Sequence, residues 1–185
     1  MTGPRRVAGA VHAEAIKLIT LPSLALTVAL TWALTALLGL TGRPGGVLVY
    51  TQVGFLVLGV LAATHEYQGG GQIRASLLAV PRRPLLAVAK IVALAGIAAP
   101  FALVAAVLAG RPGATGGLLL DLVLAAGVGM LVKHSVGATG LVLTAYEIVS
   151  PLVRTHLPEV ARLPSSAWTA AVLLVAIAIF ARREA

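Results

Sequence analysis

Two apolar runs without a single charge, Val47–Thr64 and Ile91–Ala109, bracket a polar island at residues 65–90. An α-helix rises about 1.5 Å per residue, so 18 residues reach across about 27 Å, close to the hydrocarbon thickness of a bilayer. The island is therefore expected to join the same ends of two membrane spans. It carries Arg74, Arg82, Arg83 and Lys90, four of the 14 basic residues of the chain. Cytoplasmic loops collect Lys and Arg, so the island is expected to face the cytoplasm.

Composition points the same way. The chain is 59% hydrophobic and 11% charged, whereas a soluble domain carries about 25% charged residues. The formal charge of +8 raises nucleic acid as a partner, but the basic residues sit at the ends of apolar runs and do not gather on one face. Lipid headgroups and topology account for that placement, and nucleic-acid binding is not expected. Cysteine is absent, which excludes disulfides, thiol nucleophiles and Cys metal sites. The bias to Ala, Gly, Val, Leu and Arg over Lys is of the kind seen in GC-rich bacterial genomes. The first apolar run, Leu18–Leu40, is longer than the apolar stretch of about 7–15 residues in a cleaved leader, so it is expected to be retained.

Six apolar runs predict six spans, at about 18–41, 47–64, 85–109, 115–132, 135–153 and 166–181. Gly/Pro turns at 41–46 and 110–117 separate two of the pairs. Lys133-His134-Ser135 is the briefest break, but runs four and five together are too long for one span. With the N-terminus inside, the inner loops and tails hold Arg5, Arg6, Lys17, Arg74, Arg82, Arg83, Lys90, Lys133, Arg182 and Arg183. The outer ones hold Arg43, Arg111, Arg154 and Arg162. Ten against four places both termini in the cytoplasm. The expected fold class is thus an all-α integral membrane protein, one transmembrane domain over 1–185, with six helices, N-in and C-in.

Smaller features refine this picture. Segment 4–17 is a candidate interfacial helix, with Val7, Val11 and Ala15 near one face and Glu14 and Ile16 spoiling the stripe. Pro22 falls in the first turns of the first span, where a missing N–H costs little. Pro100 lies inside the third span and is expected to kink it unless neighbours compensate. Ala25, Ala29 and Ala33, and likewise Ala125 and Gly129, give small faces suited to close helix packing.

The chain has no visible chemistry of its own. A phosphate-cradling loop needs a Gly-Lys pair, and Lys17, Lys90 and Lys133 follow Ile, Ala and Val. His65-Glu66 begins a zinc-protease pattern, but position 69 is Gly; His12, His134 and His156 are dispersed, and metal binding is not expected. No nucleophile motif is present. No enzyme activity or bound cofactor is expected of this chain.

The island is the distinctive element. Glu66-Tyr67 closes the second span, with Tyr at an interfacial depth and Glu66 suited to pair with a nearby Arg. Ile73, Leu77 and Val80 recur at helical spacing, predicting a short amphipathic cytoplasmic helix ended by Pro81. Such a helix lies on lipid or docks a cytoplasmic partner. The series Glu66-Tyr67, Gly70, Ile73-Arg74, Leu77-Leu78, Pro81-Arg82-Arg83 and Lys90 resembles the ABC type-2 transporter permease family, most closely its short bacterial exporter subunits. Glu14-Ala15-Ile16-Lys17 is similar to that family's opening E-x-x-K. Lys133–Ala138 resembles its turn into span five, and Phe180–Ala185 its ending. The Gly turn is one residue longer than the family pattern, and the outer loop before the last span is clipped to Arg154–Ser166. What the resemblance implies is a multi-pass subunit of a bacterial plasma membrane. It would pair with a second permease subunit, identical or not, and be energised by a cytosolic ABC ATPase that binds the ATP. Residues 66–90 would transmit the ATPase's movement.

Two carboxylates sit within apolar runs. Asp121 and Glu147 both fall toward the outer surface in this topology, where headgroup water or Arg154 is expected to meet them. The rival reading makes them a pathway-lining acidic pair, the coupling carboxylates of a secondary transporter.

Overall fold

The computed structural model describes residues 3–41, 44–68, 83–156, 170, 172–175 and 177–178. All secondary structure among them is helical. Helix α1 is Gly3–Thr20, α2 Pro22–Leu40, α3 Pro44–Gln68, α4 Arg83–Leu108 and α5 Thr115–Val132. Then come α6 (Ser135–Thr144), a π turn (Ala145–Val149) and α7 (Ser150–His156). Four stretches are long and apolar enough to cross a membrane: Pro22–Leu40, Gly46–His65, Ala87–Leu108 and Pro112–Val132.

Local chemistry explains most boundaries. Leu21 is extended, at φ −81° and ψ 111°, because the ring of Pro22 disfavours a helical residue before it. The first span therefore begins at Pro22, not at 18; Leu18–Thr20 belong to α1. Pro22 stands at the start of α2, where its missing N–H is an orphan position anyway. Helix α5 ends as Lys133 turns left-handed, at φ 60°, its N–H still bonded to the Gly129 carbonyl at 2.9 Å. The fifth apolar run starts at Ser135 as expected, but its helix is interrupted. Bonding widens at Ala145–Val149 just before Pro151, which has no N–H to give the Glu147 carbonyl. Helix α4, by contrast, continues as one element through Pro100.

Successive long helices α2 to α5 alternate in direction, and α3 sits at the centre, packed on α2, α4, α5 and α6. Helices α2 and α3 are antiparallel: Thr35 and Thr51 share a hydroxyl–hydroxyl bond of 2.9 Å, while Gly54 faces Thr31. Thr35 and Thr51 also approach their own i−4 carbonyls, at 2.7 and 2.9 Å. Two hydroxyl protons serve these three contacts, so one threonine donates to its carbonyl while the other bridges the helices. Helices α2 and α4 are parallel and joined by Trp32, whose indole N–H donates to the Phe101 carbonyl at 3.1 Å and whose ring tilts against that of Phe101.

The closest approach is between α3 and α5, which run parallel. A Cβ on Gly59 would lie 2.2 Å from the Leu122 carbonyl oxygen, and one on Gly129 3.0 Å from the Ala63 Cβ. With no hydrophobic drive between helices in lipid, such backbone contact supplies the attraction through van der Waals packing. Ala125 and Gly129 thus form an interface, as their spacing suggested. Ala25, Ala29 and Ala33 do not: they are exposed on α2.

Helix α1 packs on α4. Its buried stripe is Ala10, Glu14 and Leu18, flanked by Val11 and Ala15. Glu14 therefore belongs to the buried face rather than spoiling it. One carboxylate oxygen accepts from Lys17 Nζ at 2.7 Å, three residues on and so on the same side of the helix.

Candidate functional site: the basic end of the bundle

Helix α3 ends at Gln68 and α4 begins at Arg83, so the island joins adjacent spans at one end of the bundle. Gly70, Ile73, Arg74, Leu77, Pro81 and Arg82, with the expected amphipathic helix, lie outside the described residues. Glu66 and Tyr67 fall in the last turn of α3, and Arg83 opens α4.

What the structure describes is the platform of helix ends that flank the island in sequence. Tyr67 is half-buried, with Lys133 Nζ 5.5 Å from its ring centroid. That is within cation–π range and worth about 0.5–1 kcal/mol at a site of this exposure. The contact ties the end of α3 to the end of α5. It also offsets the cost of a left-handed backbone at Lys133, a position glycine usually takes. Lys90 is 6% exposed, among Ala87, Ala89, Ala93 and Leu94. Lys90 thus stands near the start of α4 with its side chain buried.

The next turn is built on a histidine. His134 is extended, and its Nδ1 accepts the backbone N–H of Gly137 at 3.1 Å, capping α6. The sequence shows His134 only as one of several dispersed histidines. The usual N-cap residues are Ser, Thr, Asp and Asn, so a histidine in that place gives no cap signal in the sequence. His134→Ala should cost about 0.5–2 kcal/mol, as loss of an N-cap does, and His134→Asn should keep most of it. Thermal unfolding of the detergent-solubilised chain reads both; equal melting of the alanine variant and wild type would remove the cap from the account. His65 Nδ1 lies 2.9 Å from the Ala62 carbonyl, and His12 is exposed on α1, so these histidines serve separate local roles.

The two membrane carboxylates part company. Asp121 is partly buried between α5 and α3, where the Gln52 amide donates to its Oδ2 at 3.3 Å. Among the described residues its partner is Gln52, a residue that nothing in the sequence pattern singles out. Glu147 lies in the π turn with its side chain exposed. No hydrogen bond links the two carboxylates among the described residues.

The chain matches no known family model, no curated protein and no solved structure.

Proposed function

We propose that this chain is the membrane-spanning permease subunit of an ATP-driven ABC exporter in a bacterial plasma membrane, energised by a separate cytosolic ATPase. The observation that carries the reading is the island itself. Its Glu-Tyr, Gly, Ile-Arg, Pro-Arg-Arg and Lys pattern resembles the ABC type-2 permeases, and it joins two adjacent spans at one end of an apolar bundle. The four long apolar helices supply the membrane scaffold. The run Ser135–His156, helical through its π turn, serves as the fifth span. The sixth is 166–181, of which the described residues between 170 and 178 are helical. Charge counts orient the whole N-in and C-in.

In this reading ATP-driven closure of the ATPase pair pushes on residues 66–83. Tyr67 hands the push to α5 through Lys133, and α3 and α5 respond as one body because their backbones touch at Gly59. Two discrete packings of the remaining helices then alternate access. A second permease subunit, identical or different, completes the pathway. The secondary-transporter alternative rests on Asp121 and Glu147 acting as a pair, and the absence of a bond between them among the described residues lends it no support.

Co-purification tests the assignment. The tagged chain, extracted in mild detergent, should bring down a Walker-motif ATPase encoded beside it; recovery without one, from membranes that contain it, counts against the reading. A reporter fused after Ala185 should report a cytoplasmic location. An external signal there removes one span and the six-helix topology with it.

A further inference from the structure

Among the described residues, Asp121 is the one carboxylate inside the four long spans, and its partner is a neutral amide. It lies about 9 Å along α5 from Thr115. The nearest cation on the same helix toward the basic end, Lys133, is 12 residues away, about 18 Å. Arg111, at the other end, is exposed and makes no ion pair with Asp121. A carboxylate at this depth with no cationic partner among the described residues is costly, and intramembrane ionisable groups persist where they line a path or meet a ligand.

The shape of the pair narrows the ligand. Gln52 gives one N–H to Oδ2, leaving Oδ1 and the amide carbonyl as acceptors, and both side chains are only part-buried. The group therefore offers oxygens and negative charge, but too few oxygens for a divalent cation, which takes six or more. Leu48, one turn from Gln52 on α3, and Leu124, one turn from Asp121 on α5, are apolar and, like the pair itself, only part-buried. An organic cation needs one carboxylate for its charge and apolar walls for its body.

We propose that Asp121 and Gln52 recognise the positively charged group of an amphipathic organic cation, the substrate class carried by this subunit. That the cation is exported rests on the function proposed above; that it binds does not. Glu147, exposed on another helix, takes no part.

The test is equilibrium binding of radiolabelled tetraphenylphosphonium to the full chain in lipid nanodiscs, without any ATPase. Wild type should bind saturably. Asp121→Asn should weaken binding at least tenfold and Gln52→Leu several-fold. Asp121→Glu should restore part of the loss, and Glu147→Gln should bind as wild type. Tetraphenylborate, of the same shape and opposite charge, should not compete. Thermal unfolding of each variant within a few degrees of wild type separates recognition from folding. Undiminished binding by Asp121→Asn, equal competition by the borate, or no saturable binding by wild type would each overturn the proposal. The last is also the outcome if a proton alone neutralises Asp121. Because the assay omits the ATPase, a failed co-purification and a failed cation site are read separately.

Discussion

Replacing Gly59 with alanine should destabilise the chain by about 1–3 kcal/mol or more, the range for forcing extra atoms into a packed interior. The added Cβ would meet the Leu122 carbonyl oxygen at 2.2 Å and the Ala125 Cβ at 3.1 Å. A backbone atom cannot swing aside as a side chain tip can, so α3 and α5 must separate. Separation also stretches the Gln52–Asp121 bond and draws Tyr67 from Lys133. Gly96→Ala on α4 is the matched control, because nothing lies within 4 Å of its added methyl. It should melt at or above the wild-type temperature, since alanine favours helix over glycine. Thermal unfolding in the same detergent decides. If Gly59→Ala melts with wild type, the α3–α5 contact is looser than described and cannot move as one body.

The second large effect is on association. Arg82→Glu with Arg83→Glu should sharply reduce recovery of the ATPase while the chain still inserts. Both residues end the island that the proposed partner grips, and reversing two charges turns attraction into repulsion at a desolvated contact. The same residues help set orientation, so a reporter after Ala185 must first show that topology is kept. Unchanged recovery with topology intact would move the contact away from the island, toward α1 and the Arg5–Lys17 segment.

Much of the scaffold was legible because apolar run length and Gly/Pro punctuation fix helices almost by themselves. The fourth run was read as 115–132, and α5 is Thr115–Val132. The break at Lys133-His134 followed from length alone, since no single span accommodates both flanking runs. The errors have local causes. Leu18–Thr20 are as apolar as the span that follows, so hydropathy could not see the break that Pro22 imposes on Leu21. Glu14 was read as spoiling a face because its neighbour Lys17 was not counted as its partner. Helix faces, unlike helix lengths, depend on who packs opposite. That is why Ala125 and Gly129 found α3 while Ala25, Ala29 and Ala33, equally well spaced, lie exposed. It is also why Gln52 went unnoticed: its significance comes from Asp121, 69 positions away. The platform residues Tyr67, Lys90 and Lys133 were named from the sequence, but burial of Lys90 and stacking of Lys133 on Tyr67 are tertiary facts.

The chain contains no cysteine, so a single introduced cysteine reports one position without background. Leu77→Cys places a thiol in the middle of the island. Treated in native membranes with a short bifunctional thiol-to-amine reagent, this variant should yield a cross-linked product containing the Walker-motif ATPase, and the yield should change when ATP is supplied or withheld. Gly96→Cys, within the lipid-crossing part of α4, should give none. A Leu77→Cys chain that inserts normally, labels with a soluble maleimide and yet never cross-links to an ATPase would contradict the permease assignment directly.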